Sequence, residues 1–242
     1  MKRFYMLSLS AVLLFGCKSK VQQIVDQSIA VHGGEAFEQI HIKFDFRGMH
    51  YDLQRDNGKY TYQRIQTDSL GNKITDILSN DSFIRRIGNE VTDLPDTTSA
   101  KYANSVNSVA YFILLPFGLN DASVNKEWLK ETKINDQAYD EVKVTFDAEG
   151  GGKDHQDVFL FWFNKETHMM DYLAYSYETS GGGVRFREAI KQHKTGNFIF
   201  QDYRNYGLED AAFPLSDLPV LFEKGELPLL SNIENENITL VP

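Results

Sequence analysis

From residue 40 onward the chain adopts a period of two, and that switch decides its fold class. Ile40, Ile42, Phe44 and Phe46 alternate with His41, Lys43, Asp45 and Arg47. Successive side chains of a strand point to opposite faces, so this spacing predicts a strand with one dry face. Further strands are expected at His50–Arg55, Lys59–Thr67, Lys73–Ser79, Ser82–Gly88 and Glu90–Leu94, with Asp56-Asn57-Gly58 and Leu70-Gly71-Asn72 as hairpin turns. The second half repeats the pattern at Trp128–Ile134, Tyr139–Asp147, Asp157–Asn164, Met169–Glu178, Val184–Gln192 and Asn197–Tyr206. Connections this short make neighbouring strands antiparallel. Val158-Phe159-Leu160-Phe161-Trp162-Phe163 is apolar at every position, which marks a central strand covered on both faces. A chain with 17 Phe, 12 Tyr and only 6 Pro suits such a sheet.

Two segments keep a helical period instead. Val21, Ile24, Val25 and Ile29 form one stripe, ended by Gly33-Gly34. His32, in the last turn, is favoured there by the helix dipole and is read in that role rather than as a ligand. Tyr102, Val106, Val109 and Ile113 form a second stripe within Ser99–Leu115, stopped by Pro116 and Gly118. Its end, Tyr111–Leu115, is apolar all round, which calls for burial or else for a membrane or a partner. Beyond Phe213 the prolines Pro214, Pro219 and Pro228 predict an irregular tail, about 213–242, with Ile238–Val241 as a last strand. No repeat or linker divides residues 17–242, so they read as a single domain. About ten to twelve strands with two helices predict a mainly β fold, because an open twisted sheet of that size curls. The expected form is a single large curved antiparallel sheet, or half-barrel, with the helices packed in its concave face.

The first residues carry an address. Lys2 and Arg3 precede an apolar run from Phe4 to Phe15, and no acid occurs before Asp26. This is the layout of a secretory signal, and a run of roughly 12 residues falls short of the about 20 that cross a bilayer. Leu14-Phe15-Gly16-Cys17 resembles a bacterial lipobox. The resemblance implies removal of residues 1–16 and lipidation of Cys17, with diacylglyceryl on its thiol and a further acyl group such as palmitate on its amine. An ordinary signal peptide with a chance cysteine is the alternative. Lys18-Ser19-Lys20 lacks both the Asp of inner-membrane retention and an acidic export run, so it resembles the sorting pattern of a lipoprotein on the periplasmic face of the outer membrane. Loss of Lys2 and Arg3 with the signal would take the formal charge from −9 to −11. An acidic body excludes a nucleic-acid partner, which needs a basic patch. One cysteine excludes an internal disulfide and any multi-cysteine metal site.

Three segments carry a family likeness: Ala30-Val31-His32-Gly33-Gly34; Leu115-Pro116-Phe117-Gly118-Leu119; and Phe161-Trp162-Phe163-Asn164 followed by Met169-Met170-Asp171-Tyr172. The chain resembles uncharacterised, domain-of-unknown-function lipoproteins of Bacteroidota-type bacteria. More distantly it is similar to the LolA/LolB-like half-barrel superfamily. That resemblance implies a concave apolar groove, plugged by helices, that accepts acyl chains, and it brings no catalytic residues with it.

The chain shows no pattern for chemistry. Its 6 histidines form no His-Glu-x-x-His pair, and Asp154-His155-Gln156-Asp157 follows a glycine triplet and reads as a polar hairpin loop. No Gly-x-Ser-x-Gly elbow surrounds Ser180, and the triplets Gly150–Gly152 and Gly181–Gly183 lack the Gly-Lys-Ser/Thr end of a phosphate loop. The expectation is therefore a non-enzymatic protein without metal or cofactor. Its function is expected to be the binding of a hydrophobic ligand, lipid or acyl chain, by a lipid-anchored envelope protein. Candidate ligand residues are Phe44, Phe46, Phe161 and Phe163 on the strands and Tyr102, Val106, Val109 and Ile113 on the helix; for each of them a plain core role stays open. A scaffold for other envelope proteins, with a filled core and the tail Pro214–Pro242 as contact region, is the alternative, and a hydrolase of unknown substrate is third.

Overall fold

A computed structural model describes residues 18–149, 156–178 and 181–242. The signal segment 1–16, Cys17, the triplet Gly150–Gly152, the pair Asp154-His155 and Ser180 lie outside the described residues.

Helix α1, Lys20–His32, starts at Ser19, whose side chain accepts from the Gln22 amide, and buries Ile24, Val25, Ser28, Ile29 and His32. It ends at Gly33, where φ is 152° and an added Cβ would meet Phe198 at 2.7 Å and Phe37 at 2.9 Å. A glycine is required there both by the backbone and by the close approach of two aromatic rings. Strands β1 His41–Phe46, β2 Met49–Asp56, β3 Lys59–Thr67, β4 Lys73–Ser79, β5 Phe83–Ile87 and β6 Glu90–Thr92 follow as a meander. Asn57 and Gly58 both take positive φ at the β2–β3 hairpin, which is the backbone a two-residue primed turn needs. Helix α2, Asp96–Leu114, separates this meander from β7 Val124–Ile134, β8 Gln137–Phe146, β9 Phe159–Asn164, β10 Met170–Tyr177, β11 Gly183–Thr195 and β12 Phe198–Leu208. A short helix α3, Leu218–Glu223, and strands β13 Leu229–Ile233 and β14 Glu236–Leu240 complete the chain.

The fold is mainly β and antiparallel throughout, with α1 and α2 on its inner face. The strands divide into two seven-stranded sheets, ordered β14-β1-β2-β3-β4-β5-β6 and β13-β12-β11-β10-β9-β8-β7. The division falls near the C-terminus. Strand β13 pairs with β12, the chain crosses residues 234–235, and β14 pairs with β1 in the other sheet. The region expected to be irregular is thus ordered, and its two strands border the two sheets.

One hydrophobic core fills the inner side. It joins Ile42, Phe44, Tyr51 and Leu53 of the first sheet to Val142, Val144, Phe161, Phe163 and Phe200 of the second, with Val25 and Ile29 of α1 and Val106, Ala110 and Ile113 of α2 between them. A second core lies on the opposite face of the second sheet, where Leu160, Trp162, Ala174, Val184 and Phe186 are covered by Leu218 and Leu227, with Leu215, Leu221 and Phe222 alongside. The chain after β12 folds back over that face, which is why β9 is buried at all six of its positions.

A cavity of aromatic and guanidinium groups beside helix α2

Beside the apolar core, helix α2 also meets the first sheet through polar groups. Arg64, Asp76 and Arg85 lie directly opposite one another on β3, β4 and β5. The Asp76 carboxylate is fully buried and takes Arg64 Nη2 at 2.6 Å and Arg85 Nε at 2.6 Å. Arg64 Nη1 continues to Ser105 Oγ of α2 at 2.7 Å, and the Arg85 guanidinium lies 3.5 Å from the Tyr102 ring centre. Two guanidiniums share one carboxylate here, so each arginine has an acid partner, and the pair reaches the helix through a hydroxyl and a ring face.

Toward the second sheet α2 leaves space. A half-enclosed cavity of ≈ 630 Å³ lies between its outer half and strands β8 to β13. Its lining includes Phe112 and Ile113 of α2 together with Phe159 of β9, Tyr175 of β10, Arg187 of β11 and Tyr203 of β12. The strand register explains the wall: Phe159 is opposite Tyr175, Tyr175 is opposite Arg185, and Ala189 is opposite Tyr203. Phe159 and Tyr175 stack with ring centres 5.2 Å apart, and Phe112 lies 5.5 Å from Tyr175. Arg47, Asn107 and Ser108 are exposed lining residues, whereas Phe159, Ile113, Arg187 and Tyr203 are buried. A smaller cavity of ≈ 380 Å³, lined by Arg55, Tyr60, Tyr62 and Asp121 among others, shares Asn104, Asn107, Tyr111 and Phe146 with the first.

Burial sets the electrostatics of these walls. It pushes the hydroxyls of Tyr111 and Tyr203 well above the usual tyrosine range, so both stay protonated. The Tyr111 hydroxyl has no hydrogen-bond partner, while Tyr203 donates to Gln201 Oε1 at 3.1 Å. In the smaller cavity burial also raises the Asp121 carboxyl, against the pull of Arg55, and outside its lining burial lowers the Lys126 ammonium. Among the described residues no group of three or more His, Cys, Asp or Glu is placed to hold a metal ion. No described helix is long and apolar enough to cross a membrane.

The residues singled out from sequence separate under this geometry. Phe46, Val109 and Ile113 line the larger cavity. Phe44, Val106, Phe161 and Phe163 are enclosed in the inner core and are not among the cavity's lining residues. Tyr102 belongs to neither group, because its ring is drawn against Arg85 on the first sheet. His32 is wholly buried at the end of α1, with Nδ1 2.8 Å from the Ser28 carbonyl and Nε2 3.3 Å from Gln201. Tyr111–Leu115 is taken up by the core and by the cavity wall. The wall residues that sequence reasoning missed are Tyr111, Phe112, Phe146, Phe159, Tyr175 and Arg187. A signal was present in the alternation Tyr175, Tyr177 and Arg185, Arg187 on two strands joined by a glycine-rich turn, which places all four on one face.

The model of a family of unknown function, DUF6503, matches residues 2–235. Comparison with curated proteins gives no match. Among solved structures, a LolA superfamily protein from Nitrosomonas europaea is 9% identical over 93% of this chain and 95% of that one, with a TM-score of 0.51. A putative outer membrane lipoprotein-sorting protein domain from Vibrio parahaemolyticus is 9% identical over 77% and 85%, with a TM-score of 0.44. A DUF1329 family protein from Desulfovibrio piger is 9% identical over 92% and 94%, with a TM-score of 0.42. The first of these shows that the fold is of the LolA type.

Proposed function

Since this chain belongs to DUF6503, a family of unknown function, we propose from its own geometry that it is a non-catalytic carrier or receptor for a hydrophobic ligand, a lipid or an acyl chain, held at a bacterial envelope membrane by lipid on Cys17. The observation that carries the reading is the ≈ 630 Å³ cavity. Its volume lies in the range of about 300–1,000 Å³ in which small-molecule sites fall, and its wall combines eight aromatic side chains with eight polar or charged ones. Phe46, Val109 and Ile113 would contact the chain of the ligand together with Phe112, Phe159 and Tyr175. Apolar burial contributes about 0.8 kcal/mol per methylene, so affinity for an acyl chain should rise about fourfold with each added methylene until the cavity is full. The LolA-type fold of the Nitrosomonas protein supports an open shell with room inside it.

Native mass spectrometry of the protein purified from producing cells tests the cavity reading. Co-purifying lipid, or a rise in melting temperature on adding fatty acids, is the expected result; a ligand-free protein indifferent to every chain length would contradict it. The anchor has a separate test. Cys17→Ser should move the protein from the membrane fraction to the soluble fraction, and an unchanged distribution would remove the anchor from the proposal.

A further inference from the structure

Arg187 is buried to 7% exposure on the floor of the cavity, yet no carboxylate pairs with it among the described residues. Its Nη2 donates to the Tyr175 hydroxyl at 3.0 Å, a neutral acceptor. Its guanidinium carbon lies 3.8 Å from the Phe112 ring centre, so one face is shielded from water by an aromatic ring. Its Nε is buried with no acceptor. A guanidinium does not deprotonate, so it keeps its charge, and a buried charged donor without an acceptor is costly. Among the described residues the other deeply buried arginines have an acid: Arg64 and Arg85 share Asp76. The cavity wall holds three guanidiniums, Arg47, Arg185 and Arg187, and one carboxylate, Asp157.

Resting on the cavity reading above, we propose that Arg187 binds the anionic end of the ligand, and that the cavity takes an amphiphile bearing a carboxylate or a phosphate on an apolar chain. The planar fork of Arg187 matches either anion, and the low polarity around it strengthens the bond. The stacked rings of Phe159 and Tyr175 beside it would receive the first part of the chain. Arg47, at an exposed position of the same wall, adds positive charge for an approaching anion.

The test is calorimetric titration of the delipidated mature chain with four probes: hexadecanoate, its uncharged analogue hexadecanol, phosphatidic acid and inorganic phosphate. In the native sequence hexadecanoate or phosphatidic acid should bind about tenfold to hundredfold more tightly than hexadecanol, the range for a hydrogen bond to a charged group. The head group is identified by which of the two loses more affinity in Arg187→Met, a comparison within each probe that cancels the second chain of phosphatidic acid. In Arg187→Met that preference should vanish while hexadecanol binding stays, and Arg187→Lys should keep part of it. Equal binding of charged and uncharged chains in both proteins would overturn the anion site and leave the cavity reading standing. Binding of inorganic phosphate as tightly as phosphatidic acid would overturn the amphiphile, and no binding of any chain would overturn both readings. The melting temperature of ligand-free Arg187→Met supplies a second readout. It should equal or exceed that of the native sequence, whereas a fall of several degrees would assign Arg187 to structure and overturn its role in binding.

Discussion

Helix α2 faces buried arginine on each side, a pair toward the first sheet and a single one toward the second, and the two sides are built differently. On the first sheet Arg64 and Arg85 flank a fully buried Asp76, and both reach the helix through Ser105 and Tyr102. On the second sheet Arg187 reaches the helix through Phe112 alone, without an acid, beside open space. A buried cation is least costly where a carboxylate pairs with it inside the fold. The first cluster therefore fixes α2 to the shell. The second leaves a cation without an acid at the place where the shell also leaves volume, and the proposed site rests on that coincidence.

The largest effect expected from breaking this contrast is at Asp76. Asp76→Ala would strand two buried guanidiniums and should cost about 3–5 kcal/mol in urea unfolding, the range for removing one partner of a buried pair. Arg187→Met, on the other side, should cost nothing; similar losses at both positions would erase the distinction.

Next in size is the outer cover of the second sheet. Leu218 is fully buried there, and Leu218→Ala should cost about 2–5 kcal/mol with no change in ligand affinity, because the cavity lies on the opposite face. A large loss of affinity would show that the two faces are coupled.

A smaller, pH-dependent effect should come from His32. Burial holds its imidazole below the ordinary value of 6.5, so the unfolded chain binds the additional proton first. Stability should be full above that value and fall as the pH drops through it. Replacing His32 by Gln should flatten that part of the stability profile, and an unaltered profile would move the dependence elsewhere.

The smallest effect is at Tyr111, whose buried hydroxyl has no partner. Tyr111→Phe should change stability by no more than about 1 kcal/mol, in the stabilising direction if at all. A loss beyond that would reveal a partner for the hydroxyl.

Much of the fold was legible in the sequence because strand alternation and turn chemistry are local. The Ile40–Phe46 alternation, the Asn57-Gly58 turn and the helical stripes of α1 and α2 all lie where their spacing puts them. The doubly buried β9 was legible too, since no strand with one wet face carries six apolar residues in succession. The C-terminal region was less so. Its prolines suggested an irregular tail, but Pro219 stands in the first turn of α3, where a missing amide costs nothing, and β13 and β14 depend on pairing with distant strands. The site itself was legible only in part. Period two says that Val184 and Phe186 share one face and Arg185 and Arg187 the other. In a strand with one wet face the arginines would be outside. Here the chain after β12 covers the apolar face, so the arginines point inward. Tyr102 could not be assigned to one sheet from sequence for a related reason: its stripe position gave burial against a sheet, but only the Arg64–Asp76–Arg85 row determined which one.

The most direct test of the central claim, that the shell leaves a ligand-sized space between α2 and the second sheet with Arg187 at its floor, is a crystal structure with hexadecanoate brominated along its chain. The account predicts the bromine beside Phe112, Phe159 and Tyr175, with the carboxylate on the Arg187 guanidinium. Bromine found elsewhere, or α2 collapsed onto Phe159 with the cavity closed, would contradict it.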